Sequence, residues 1–138
     1  MITTGQSITN SVTGETLVFR TTSADTNGER VVVETFVEPN GAVAAAHVHP
    51  GQEERFEVLE GRAAFRIDGV EIEAAAGSVV VAPPGRRHLA WNPTDEPVRL
   101  RIEMRPALRW WSFTTRFFAG DDPIALLDEF RDNVVLPP

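Results

Sequence analysis

Residues 41–61 read GAVAAAHVHPGQEERFEVLEG, and residues 77–92 read GSVVVAPPGRRHLAWN. Both stretches are strand-forming segments cut by glycine and Pro-Gly turns, and together they hold all three histidines of the chain. In an extended strand, residues i and i+2 point to the same side, so His47 and His49 share one face. The Pro50-Gly51 and Pro84-Gly85 turns fold the chain back so that Glu54 and His88 can converge on that face. Neutral imidazoles beside one carboxylate suit a borderline divalent transition metal: iron, manganese, nickel, copper or zinc.

Working outward, Ala42 to Arg105 is a succession of short strands divided by glycines at 51, 61, 69, 77 and 85. Such punctuation predicts an antiparallel sandwich or barrel. Alternation then sorts the faces. With Glu54 inward, Phe56 and Val58 follow it, while Arg55 and Glu57 face water. Leu100, Ile102 and Met104 form one face opposite Arg99, Arg101 and Glu103. His88, Ala90 and Asn92 share a side, which turns Trp91 outward. Phe56, Ala90, Ile102 and Met104 are the candidate walls of a small, mainly apolar pocket beside the histidines.

The two quoted stretches resemble the two sequence motifs of the cupin superfamily, with a short spacer between Gly61 and Gly77 as in compact single-domain members. The resemblance implies an all-β, antiparallel jelly-roll barrel. It also implies that His47, His49, Glu54 and His88 are metal ligands. Glu53 is the rival carboxylate, but Glu54 stands at the distance from Gly61 that the motif requires, which leaves Glu53 facing solvent.

Outside the motifs, residues 1–30 form a polar arm in which Thr16–Thr22 is rich in strand formers. A strand here should extend an edge of the main sheet. Val31 to Val37 is the next strand, ended by Pro39-Asn40-Gly41. After the barrel (31–105), residues 106–138 change character. Trp110, Phe113 and Phe117 make a helical stripe with Trp111 and Phe118 beside it. Asp121-Asp122-Pro123 then reads as the start of a second helix. This pair is expected to pack on the barrel or on a partner subunit, with a lid over the metal as the less favoured arrangement. One domain therefore spans 1–138.

Composition narrows the function. The net charge of −7 argues against a nucleic-acid role. No apolar run approaches the ~18 residues of a membrane span, and the start of the chain has no secretory pattern. With no cysteine, a cytoplasmic setting is expected. Tyrosine is also absent, and every histidine is committed to the cluster. Epimerases with this fold use a histidine base and a tyrosine acid, and a serine triad needs its own histidine. The expectation is thus a metal-dependent oxidoreductase, dioxygenase-like, acting on a small organic acid or aromatic. The alternative is a non-catalytic, metal-dependent small-molecule binding or sensing protein, with a metal-dependent isomerase behind both. Outward-facing Trp91 and the aromatic-rich 110–118 segment lead to the expectation of a homodimer.

Overall fold

The structure, a computed structural model, describes residues 2–43 and 45–137. Nine strands precede two helices: β1 (Ser7–Thr9), β2 (Thr16–Thr21), β3 (Val31–Val37), β4 (Glu53–Glu60), β5 (Arg62–Ile67), β6 (Val70–Ala75), β7 (Val79–Ala82), β8 (His88–Trp91), β9 (Val98–Arg105), α1 (Trp110–Phe118) and α2 (Pro123–Glu129). They build two antiparallel sheets, one ordered β1-β2-β3-β9-β4-β7 and the other β6-β5-β8. From β6 to β9 successive strands alternate between the two sheets, as in a jelly roll.

Seven of these strands fall within 31–105, but they do not close into one hydrogen-bonded ring. Among the described residues, positions 42, 43 and 45–48 form no regular strand, and Ala42↔Trp91 and His47↔His88 are isolated bridges that join this part of the chain to β8. The second sheet therefore ends in a loosely paired segment, which carries His47 and leads directly to His49. The N-terminal strand takes its expected place, with β2 pairing to the free edge of β3 and β1 extending it.

The expected alternation is realised on β4 and β9. Glu54, Phe56 and Val58 are buried on the same face as Leu100, Ile102 and Met104, with Phe56 paired to Ile102 and Glu54 to Met104. Phe56 meets Phe65 of the facing sheet at a ring separation of 5.1 Å, which closes the core between the layers. The turns that permit this need special backbone. Asp68-Gly69 links β5 to β6 with both residues at positive φ (49° and 83°), the pattern of a tight hairpin. At Gly61, also at positive φ, a Cβ would approach Val98 Cγ2 at 3.0 Å and the Pro97 carbonyl at 3.1 Å.

The outer face of the larger sheet departs from a simple solvated surface. Glu34 is buried there beneath the guanidinium groups of Arg99 (2.6 Å), Arg101 (3.0 Å) and Arg20 (3.5 Å). Cross-strand register makes Glu34 their shared partner, because Glu34 faces Arg101 directly and is flanked by Arg99.

The second helix begins where the sequence predicts. Asp122 caps α2 through Ile124 N at 3.2 Å, with Pro123 in the first turn. Trp110 and Trp111 pack partly against the core. Phe113 stacks on Phe117 and meets Phe130 edge-on. Trp91, expected to lie bare, is half-covered, with the Arg66 guanidinium 5.6 Å above its ring.

Candidate metal centre

Backbone pairing brings the histidines together. His47 N–H donates to the His88 carbonyl at 3.1 Å and His88 N–H to the His47 carbonyl at 2.9 Å, so the two side chains stand side by side. Gly85 N–H holds the His49 carbonyl at 2.9 Å, which fixes the Pro83-Pro84-Gly85 turn against the same segment. Glu54 enters from β4 in the larger sheet. One ligand atom from each of His47, His49, Glu54 and His88 lies within 4.8 Å of the other three. His49, Glu54 and His88 are buried and His47 is half-buried, whereas Glu53 points to the outer face of β4.

The orientation of the rings is fixed from behind. His47 Nδ1 lies 2.7 Å from the Ala45 carbonyl, His49 Nδ1 2.6 Å from the Asn133 carbonyl, and His88 Nδ1 3.1 Å from the Arg86 carbonyl. A carbonyl can only accept, so each Nδ1 carries the proton and each neutral ring presents a bare Nε2 lone pair inward. These Nε2 atoms crowd one another. His47 and His49 approach to 3.1 Å, and Glu54 Oε1 lies 2.9 Å from His88 Nε2 and 3.1 Å from His49 Nε2. Lone pairs in such contact need positive charge between them, from an added proton or a cation. Ligands at right angles around an ion bound at about 2.1 Å lie about 3.0 Å apart, so the observed spacings suit a divalent metal.

The electrostatics are those of a cluster that attracts positive charge, either a proton or a cation. Burial pushes the His47 imidazole down to about 4, with Glu54 opposing and the other two histidines reinforcing the shift. Burial alone would raise Glu54, but hydrogen bonds and charge from His49 and His88 hold it well below the usual carboxylate range. Burial also depresses His88, and its contact with Glu54 outweighs this, leaving it above the ordinary value. An anionic carboxylate facing three imidazoles is the charge state a cation would select.

The cluster opens into a cavity of about 1330 Å³ between the larger sheet and the C-terminal segment. Of the four expected wall residues, Ile102 lines this cavity. Phe56, Ala90 and Met104 are buried in the core, with Phe56 6.2 Å from the His88 ring. The walls come largely from residues the sequence assigns to packing: Trp110, Phe113, Phe117 and Phe118 of α1 and Leu127 of α2. The helical pair thus covers the site, the arrangement less favoured from sequence alone. The tail joins it, since Val135 pairs with Val48 in both directions at 2.9 Å. Asn133, which supplies the His49 carbonyl contact, carried no sequence signal, because a backbone carbonyl is available from any residue type.

Two facing antiparallel sheets with a three-histidine, one-carboxylate cluster define a double-stranded β-helix protein with a possible metal site. A family model for the cupin domain matches residues 27–104, more than half of the sequence, and the chain belongs to this family. Solved structures agree on the fold. A sugar phosphate isomerase from a cupin superfamily of Silicibacter pomeroyi superimposes with a TM-score of 0.61 at 20% identity, covering 72% of this chain and 70% of that one. A predicted oxalate decarboxylase from Thermotoga maritima gives 0.64 at 19% identity, with 77% and 99% covered. An RmlC-like cupin from Shewanella frigidimarina gives 0.64 at 23% identity, with 75% and 86% covered. No curated protein sequence matches.

Proposed function

We propose that this cupin is a metal-dependent oxidoreductase of the dioxygenase type, acting on an aromatic or otherwise largely apolar organic acid. The observation that carries the proposal is the set of three back-anchored imidazoles and one carboxylate at the end of an apolar cavity. His47, His49, Glu54 and His88 would hold a divalent transition metal. Four protein ligands leave open positions on an ion that takes five or six, where it supplies Lewis acidity and redox chemistry toward a bound oxygen-bearing substrate.

The chain's own residues supply the rest. The Ala45, Asn133 and Arg86 carbonyls hold the imidazoles in one tautomer, which keeps the Nε2 atoms basic and correctly aimed. Trp110, Phe113, Phe118 and Ile102 would exclude bulk water and orient an apolar substrate. Among the described residues, the cavity lining includes no arginine, and the chain has no lysine. A phosphorylated sugar would find no cation to receive its phosphate there, which disfavours the isomerase reading. The size and apolar character of the cavity likewise favour a substrate larger than the small acid expected from sequence.

The second reading is a binding module that holds an organic ligand at the same site without turnover. The large, aromatic-lined cavity, with few acid–base groups beside the cluster, supports it. Oxygen consumption by iron- or manganese-loaded protein with catechols, enols and aryl carboxylic acids separates the two. Uptake that requires substrate and is lost in His88→Ala supports the oxidoreductase. Tight binding without uptake under either metal overturns it in favour of the module.

A further inference from the structure

The cavity has a second polar feature that the metal cluster does not use. Glu15, in the turn leading into β2, lines the same cavity as His47, His49 and Glu54. Its carboxylate sits 3.3 Å from the hydroxyl of Thr35, which is buried on the inner face of β3. That hydroxyl has one proton and a nearer acceptor, the Thr16 carbonyl at 2.9 Å. Among the described residues, no arginine pairs with Glu15, although the acids Glu29, Glu34, Glu57, Glu60 and Glu103 all have such a partner. A carboxyl in an apolar cavity with one long, shared hydrogen bond has spare capacity for a ligand.

Register places this carboxyl far from the metal cluster. Glu54 lies in the row Glu54–Met104–Val31, and Thr35 pairs with Leu100 four residues further along β3. Four residues correspond to roughly 13 Å along the sheet. The two polar features are therefore separated by apolar wall that includes Leu17, Ile102, Trp110 and Phe113.

We propose that Glu15 is the second anchor of a two-pole binding site, which takes a largely apolar molecule with an oxygen donor at one end and a hydroxyl or other neutral hydrogen-bonding group at the other. The first pole rests on the metal-binding reading above; the second stands on Glu15 itself. The carboxyl would hydrogen-bond the distal group and discriminate against purely apolar molecules of the same length. Burial pushes this carboxyl up to about 7, with the Thr35 hydroxyl pulling it down, so it is a neutral donor in mildly acidic solution. The other titratable groups lining the cavity are Glu38, Asp121 and the ligand cluster itself.

The test uses displacement of the apolar dye N-phenyl-1-naphthylamine from the full chain at pH 6, with and without zinc. The competitors are decanoate and 10-hydroxydecanoate, which differ only in the distal hydroxyl. The ratio of their potencies should favour the hydroxy acid at least fivefold more in the parent protein than in Glu15→Leu. Glu15→Gln should retain most of the preference. Glu15→Ala replaces Glu15→Leu if thermal melts show that the latter is unfolded. An unchanged ratio, or failure of both acids to displace the dye at millimolar concentration, overturns the proposal. Zinc should strengthen both acids through their carboxylates. Equal potency with and without zinc overturns the metal-pole reading, while the hydroxyl preference in zinc-free protein decides Glu15 separately.

Discussion

His47 and His49 point their Nε2 atoms at each other across 3.1 Å while backbone carbonyls hold both Nδ1 atoms from behind. Neither ring can turn to relieve the contact without losing its carbonyl partner. Metal should therefore stabilise the protein as well as occupy it. Chelation is expected to lower the melting temperature by several degrees. His49→Ala should lose stoichiometric metal, whereas Glu53→Ala should bind it as the parent does. Elemental analysis after dialysis checks this: equal loss from both variants would assign the wrong carboxylate, and full retention in His49→Ala would remove the site.

The tail contributes through its backbone. Val135→Pro deletes the N–H that bonds the Val48 carbonyl at 2.9 Å, which frees the segment carrying the Asn133 carbonyl. Loss of such a backing contact typically costs about 10–100-fold in metal affinity. A zinc titration against a competing chelator should show a decrease at the lower end of that range, with far-ultraviolet circular dichroism unchanged. Unaltered affinity would mean that the tail only covers the site.

The fold was legible because glycine turns and two-residue alternation are local signals, and β4 and β9 follow them residue by residue. The four converging side chains were legible because family spacing encodes them. The cavity was not. Trp110, Phe113 and Phe117 give the same helical stripe whether they bury against a core or line a hollow, and periodicity cannot tell these apart. Glu34 was missed because its partners lie on β2 and β9, which are distant in sequence and adjacent only through register.

Glu34 makes a prediction of its own. Burial would raise its carboxyl, but hydrogen bonds from Arg101 and Arg99 and the charge of Arg20 hold it below the usual value. A depressed folded-state value means stability that is present above the unfolded value of 4.5 and lost as pH falls through the folded one. The arginines are partly exposed, so Glu34→Gln should cost about 2 kcal/mol at pH 7, below the full penalty for breaking a buried pair. Urea titrations should show the difference from the parent shrinking as the pH is lowered below 4. A constant difference would assign the loss to packing.

A homodimer is also proposed, on a different surface from the one the sequence indicates. Trp91 is half-covered by Arg66, and Trp110, Phe113 and Phe118 of α1 line the cavity. The remaining outward apolar groups include Val79 and Val81 on β7, the edge of the larger sheet. An unpaired edge with exposed valines offers both backbone hydrogen bonds and apolar area to a second copy. Light scattering at micromolar concentration should give twice the mass of one chain, and Val81→Lys should shift it to one. A single-chain mass for the parent would refute the dimer.

The last prediction follows from the burial of Glu15. Its carboxyl is raised from 4.5 to about 7, so between these values the folded protein binds a proton that the unfolded chain has released. Stability must then fall as pH rises from about 4.5 to about 7 and level off above that. The full shift would correspond to about 3 kcal/mol, and partial solvent access reduces the expectation to about 1–2 kcal/mol. Glu15→Gln keeps the shape and removes the charge. It should be more stable than the parent at pH 8 and similar to it at pH 4.5. Paired urea titrations at the two pH values provide the check: an equal effect of the substitution at both would show that the Glu15 carboxyl titrates at its ordinary value.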